Sequence, residues 1–211
     1  KREATKLFYR KHPEVKEKIS EKARKPINLS SSKALAYILG VLLGDGCVYK
    51  DSKWRHVIKL RVTDKAFAES FMRALREIGL NSRLDIEQRK GYSREVYVVR
   101  AFSASFYDFY SSLSLEDIRK LVSGYELDFV RGFYESEGSI GRRVDGRPRI
   151  RITNNDLELL RLVKDFMEDL GIRCFIYSHS NGRAFVLEIT GRSRVRKFLD
   201  MVKPHIKNSI P

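Results

Sequence analysis

Cysteine is scarce in this sequence: among 211 residues only Cys47 and Cys174 occur, one in each half, which excludes a disulfide framework. Both stand in strand-like contexts and read as ordinary packing thiols, in keeping with an intracellular, reducing location. Long apolar runs are also missing. The longest, residues 34–44, ends after 11 residues at Asp45, well short of the roughly 20 a spanning helix takes, so no membrane partner is expected. No stretch near the start carries the uninterrupted apolar segment of a secretory signal. The four histidines, His12, His56, His179 and His205, show no paired-ligand spacing, which argues against zinc-finger and His-metal chemistry. Acidic residues are outnumbered, 27 against 42 Lys and Arg, for a formal charge of +15. Such a balance favours a polyanion as partner.

A hydrophobic content of 42% suffices for one domain, or for two small ones sharing a core. Residues 1–29 read as a basic extension: 1–26 hold ten Lys and Arg against four Asp and Glu, with a helix expected over 14–25. It is expected to bind DNA backbone beyond the main body. Pro26 and the Ser30-Ser31-Ser32 run then mark a linker ending in a helix N-cap.

From residue 33 the pattern runs apolar helix, Asp45-Gly46, strands near 47–50 and 56–63, and an amphipathic helix over 64–79. In that helix Phe67, Phe71, Leu75 and Ile78 recur at helical spacing, one buried stripe. Strands near 83–88 and 94–102, with Lys90-Gly91 as a turn, and a helix near 103–112 close a first unit, 30–112. A linker is expected over 113–123. Residues 124–211 repeat the order: helix 125–136, Glu137-Gly138, strands near 139–143 and 149–153, helix 155–171, strands 173–179 and 184–190, helix 192–202. Gly40, Gly44, Asp45, Gly46 and Gly79 each lie 92 positions before Gly132, Ser136, Glu137, Gly138 and Gly171. The chain is therefore expected to be α+β, two αββαββα units related by approximate two-fold symmetry.

Gly40 and Gly44, like Gly132 and Ser136, form a strip of very small residues on one helix face, which lets two helix backbones approach closely. Asp45 and Glu137 would then meet at the helix ends. Two carboxylates beside the negative end of a helix dipole are unfavourable unless a cation compensates.

Strand alternation predicts a polar, mostly basic sheet face in each unit. Lys59, Arg61 and Thr63 alternate with apolar residues, as do Arg149, Arg151 and Thr153, and as do Arg83, Asp85, Glu87 and Arg89, and Arg173, Tyr177 and His179. Arg to guanine and acids to cytosine amino groups are suitable contacts in a DNA major groove.

The segments Ile38-Leu39-Gly40-Val41-Leu42-Leu43-Gly44-Asp45-Gly46 and Val130-Arg131-Gly132-Phe133-Tyr134-Glu135-Ser136-Glu137-Gly138 resemble the two signature motifs of LAGLIDADG homing endonucleases, of the single-chain, archaeal-like kind. That resemblance implies a saddle whose motif helices pack at the centre and whose sheets lie in the major groove. It implies catalytic, metal-binding acids at Asp45 and Glu137, metal-ligating carbonyls at Gly44 and Ser136, and Mg²⁺ as cofactor, with Mn²⁺ as an alternative. Asp64 and Asn154 occupy places similar to residues that order water at the rim, where Lys59 or Arg142 could also stand. The expected activity is site-specific cleavage of both strands of a long DNA duplex by a monomer, leaving short 3′ overhangs. Leu43 and Glu135 depart from each other at the sixth motif position, and Glu135 is not read as catalytic. Competing readings are an intron maturase that binds RNA and a non-catalytic DNA-binding regulator. Without a starting Cys or Ser or a terminal His-Asn pair, the chain is expected to be intron-encoded and freestanding rather than part of an intein.

Overall fold

The structure is a computed structural model that describes residues 8, 10–14, 26–88, 95–179 and 182–210. Almost all of the basic helix expected over 14–25, the Lys90-Gly91 turn and Arg89 fall outside the described residues.

Serine and aspartate side chains start most of the helices, each accepting a hydrogen bond from a first-turn amide that the helix itself leaves without a partner. Ser32 caps α1 (Lys33–Leu42), Asp64 caps α2 (Lys65–Glu77), and Ser103 caps α3 (Ala104–Ser112). In the second half α5 (Glu126–Glu137) starts without a side-chain cap, Asp156 caps α6 (Leu157–Asp169), and α7 (Arg192–Val202) follows Gly191. Between the halves, where a linker was expected, the chain forms α4 (Leu115–Leu121), closed at its start by a reciprocal capping box between Ser114 and Asp117.

Each unit holds one antiparallel four-stranded sheet. The first contains β1 (Gly46–Lys50), β2 (His56–Val62), β3 (Ser82–Glu87) and β4 (Val96–Phe102) in the order β1-β2-β4-β3. The second contains β5 (Gly138–Arg142), β6 (Pro148–Asn154), β7 (Phe175–Ser178) and β8 (Phe185–Thr190) in the order β5-β6-β8-β7. The register repeats as well. Gly46 opposes Leu60 and Gly138 opposes Ile152, so both partners are displaced by the 92 residues seen in the sequence. The fold is thus α+β with two αββαββα units.

Helix α1 is buried all round: no residue from Ala34 to Leu42 is exposed, which is the state of a helix apolar on every side. It lies against α5 at the centre of one continuous hydrophobic core. The stripe Phe67, Phe71, Leu75 and Ile78 on α2 is buried as the spacing predicts, and α2 covers the inner face of the first sheet. Truncating Phe71 to Ala would cost about 3–5 kcal/mol through lost transfer energy and the cavity left. None of the helices among the described residues is long and apolar enough to cross a membrane.

Candidate active site

The central helices approach so closely that side chains are excluded at the crossing. A Cβ on Gly40 would stand 2.1 Å from the Phe129 carbonyl oxygen, and one on Gly132 would stand 2.3 Å from that of Tyr37. Glycine at both positions is therefore a steric requirement. Nearer the ends, a Cβ on Gly44 would meet the Ser136 Cβ at 2.4 Å and the Glu137 Cγ at 3.1 Å. The small strips thus do what their spacing suggested, and they bring the chain just before Asp45 against Ser136 and Glu137.

Asp45 ends the turn after α1, and Glu137 is the last residue of α5. Both carboxyls are pushed above the ordinary carboxylate range. Asp45 is exposed at its edge, and the cause there is partial desolvation, opposed by the Lys207 ammonium; for half-buried Glu137 it is desolvation and then the Asp45 charge, again opposed by Lys207. The Asp45 charge acting on Glu137, beside the Gly44–Glu137 contact, sets the two carboxyls near each other. Among the described residues no three His, Cys, Asp or Glu side chains gather as a metal cage. A cation here would rest on two carboxylates and backbone oxygens, with water or phosphate completing its shell. This all-oxygen set suits a hard ion such as Mg²⁺, which commonly keeps several waters.

Glu135, two residues earlier, points away from that pair and is 1% exposed. Its carboxylate accepts from the Tyr37 hydroxyl and from the His205 amide, and lies 2.9 Å from His205 Nδ1. Leu43 packs partly against the core.

The rim residues fare unequally. Asp64 is the N-cap of α2, accepting from the Phe67 amide at 3.0 Å, and its charge is felt by Lys207. The residue 92 positions on is Asp156, which caps α6 in the same way. Asn154 ends β6, where its side chain accepts from the Asp156 amide at 2.8 Å. Lys59 pairs across the sheet with Cys47, two residues after Asp45. Arg142 is not brought to the acids: it lies four residues along β5 from Gly138, roughly 13 Å at the rise of a strand. There its guanidinium donates to the Gly146 carbonyl at the hairpin tip.

On the first sheet Lys59, Arg100 and Arg83 fall in one cross-strand row. Arg100 escaped the sequence reading, although it alternates with Val99 and Ala101, which face the core. It donates to Asp85 and Glu87, each at 2.7 Å, while Arg61 reaches Glu87 at 3.3 Å and Arg83 reaches Asp85 at 3.4 Å. The two acids expected to meet cytosine thus hold three guanidiniums in place, and the arginines hold Glu87 below the usual carboxylate range. Thr63 is exposed just past the end of β2.

On the second sheet Arg151 pairs with Glu188, Arg149 with Thr190 and Thr153 with Val186. Glu188, also absent from the sequence reading, is 5% exposed. It accepts from Arg143 at 3.0 Å and from the Tyr177 hydroxyl at 2.9 Å. Arg173 and His179 flank β7 rather than lying within it, and the Arg173 guanidinium sits over the exposed Phe175 ring.

The model of the LAGLIDADG-like domain matches this chain twice, over residues 32–114 and 124–203. The chain belongs to that family. Within it, this LAGLIDADG protein is 29% identical over 187 residues to the homing endonuclease I-DmoI of Desulfurococcus mucosus, covering 83% of this chain and 90% of that one. Two uncharacterised proteins of Methanocaldococcus jannaschii are 38% and 34% identical, over 77% and 72% of this chain. It spans 64% and 54% of their lengths. Among solved structures, that of I-DmoI with DNA and Mn superposes with a TM-score of 0.60 at 25% identity, covering 83% of this chain and 97% of that one. Full-length WhiA from Thermotoga maritima, at 18% identity and TM-score 0.59 over 85% of this chain and 58% of that one, shares the fold.

Proposed function

We propose that this LAGLIDADG protein is a site-specific homing endonuclease that hydrolyses both strands of a long double-stranded DNA target with divalent cations, leaving short 3′ overhangs. The observation that carries this reading is the meeting of Asp45 and Glu137, one from each unit, at the adjoining ends of a helix pair held together by Gly40, Gly132 and Gly44. Similarity to I-DmoI, whose structures include complexes with DNA and Mn and with target DNA and Mg, supports it.

Asp45, Glu137 and the carbonyl oxygens of Gly44 and Ser136 would hold Mg²⁺ or Mn²⁺. Bound there, the cation would supply Lewis acidity and lower the pKa of a bound water. The protein's own part is placement and charge. The close-packed helices fix the two acids one to each strand, and the basic sheet faces, through Lys59, Arg61, Arg83, Arg100, Arg149 and Arg151, hold phosphates and read base edges. In the reaction a water oxygen bonds to phosphorus as one ester oxygen leaves with the bonding electrons. The water gives up its proton and the departing oxygen takes one up. Lys59, whose strand partner Cys47 lies two residues after Asp45, would attend the phosphate. One chain supplies both units, so the active form is a monomer, encoded within an intron and acting on the uninterrupted host gene.

The test is incubation of the protein with a duplex carrying that uninterrupted insertion site. Cleavage of both strands in Mg²⁺, abolished by chelation, is expected. Binding without cutting, or promotion of intron RNA splicing alone, would replace this reading with a regulator or a maturase.

A further inference from the structure

Beyond α7 the chain turns sharply, with Lys203 at φ 49° and Lys207 at φ 54°, and runs back across the end of α5 as a strap, residues 203–210. Nothing in the sequence pattern marks this segment. It is nevertheless fastened: Pro204 is buried, Ile206 and Ile210 pack on the core, and Glu135 receives the His205 amide. The Tyr134 hydroxyl donates to the Lys207 carbonyl at 2.9 Å. The result is a half-buried Lys207 whose Nζ donates to the carbonyl oxygens of Glu135 at 2.7 Å and Ser136 at 3.2 Å. Asp45 and Glu137 both act on the same ammonium.

That position has two properties. It is the negative end of the α5 dipole, where a cation is stabilising, and it includes the Ser136 oxygen, one of the carbonyls that would hold a metal. Among the described residues no such cation stands at the corresponding end of α1, where the neutral Tyr110 hydroxyl lies 3.3 Å from the Leu42 carbonyl oxygen.

We infer that Lys207 is an internal cation of the acid-pair site, occupying the Ser136 oxygen and offsetting part of the pair's negative charge until a divalent ion displaces it. This rests on the metal-dependent reading of the site given above. The four-carbon lysine stem is flexible, so the ammonium can leave the carbonyl while the strap backbone stays clamped by Glu135 and Tyr134. The lysine keeps its proton throughout; what changes is which cation sits on the oxygen. Metal loading of the free protein is thereby opposed by the protein itself, and a phosphate arriving with DNA offers the displaced ammonium a new partner.

The experiment is calorimetric titration of Mn²⁺ into the full chain without DNA. It compares wild type with Lys207→Met and Lys207→Gln, and with Lys203→Met as a variant of equal charge on the same strap. The two Lys207 variants should bind Mn²⁺ about tenfold more tightly than wild type, the free energy of which is about 1.4 kcal/mol, while Lys203→Met should match wild type. In chelator the melting temperature of Lys207→Met should fall by several degrees and recover on adding Mn²⁺. Equal Mn²⁺ affinity in wild type and both Lys207 variants would overturn the inference and leave the nuclease reading standing. Absence of Mn²⁺ binding in every protein would remove the metal-dependent reading and the inference with it.

Discussion

The Tyr37 hydroxyl on the central helix of the first unit donates to the buried Glu135 carboxylate on that of the second, at 2.5 Å. This bond crosses the helix pair, and the same carboxylate holds the His205 amide, so one side chain ties both units and the C-terminal strap together. Replacing Glu135 with Leu leaves the buried Tyr37 hydroxyl and the His205 amide without an acceptor. Each unsatisfied group costs about 1–3 kcal/mol. Urea unfolding should show a loss of at least that size for Glu135→Leu, and a smaller one for Glu135→Gln, which keeps one acceptor oxygen.

Glycine at the helix crossing gives a second expectation. The methyl of Gly132→Ala would stand 2.3 Å from the Tyr37 carbonyl oxygen, a backbone atom that cannot swing aside, whereas a Cβ on Gly141 would meet nothing within 4 Å. Overpacking of a tight interface costs about 1–3 kcal/mol, occasionally more. Thermal unfolding should therefore show Gly132→Ala clearly destabilised and Gly141→Ala close to wild type.

The two cysteines should separate in reactivity. Cys174 is 1% exposed and burial pushes its thiol up to about 12, so at mildly alkaline pH it remains protonated as well as shielded. Cys47 is exposed, although partial burial of its sulfur raises its pKa too. A thiol-directed dye should label Cys47 in the native protein and Cys174 only after unfolding, counted by mass spectrometry. Equal labelling rates would contradict the placement.

DNA binding should depend on Arg100 more than on Arg61. Both face the first sheet's polar side, but Arg100 alone holds Asp85 and Glu87 together. Without it Asp85 and Glu87 would each keep only a longer pair, with Arg83 and Arg61, and more of their charge would face the phosphates. Anisotropy titrations on the target duplex should place the loss for Arg100→Ala at about 1–3 kcal/mol, with Arg61→Ala weaker and each flattening the salt dependence.

Much of this could be read from the residues. Apolar spacing located α1, α2, α5 and α6, and the shared 92-residue displacement located both acids, because a helix pair that must touch can be written only in very small residues. What stayed hidden has physical reasons. Helix α4 is two turns long and leaves little periodicity; its legible trace was the Ser114-to-Asp117 capping box. Arg142 misled because nearness in sequence to Glu137 becomes distance along an extended strand. Asn154 was matched to Asp64, though the repeat itself pairs Asp64 with Asp156, both of them helix caps. Lys207 could not be found, since its place depends on a strap fastened by tertiary contacts alone.

The most direct measurement follows each strand separately. A duplex carrying the insertion site, with a different label on each strand, is incubated in Mg²⁺ with wild type, Asp45→Asn, Glu137→Gln and the double variant. Wild type should cut both strands, and each single variant should lose orders of magnitude in rate while still binding the duplex; the double variant should cut neither strand. If both single variants cut both strands as fast as wild type, Asp45 and Glu137 are not the catalytic pair and the account fails at its centre.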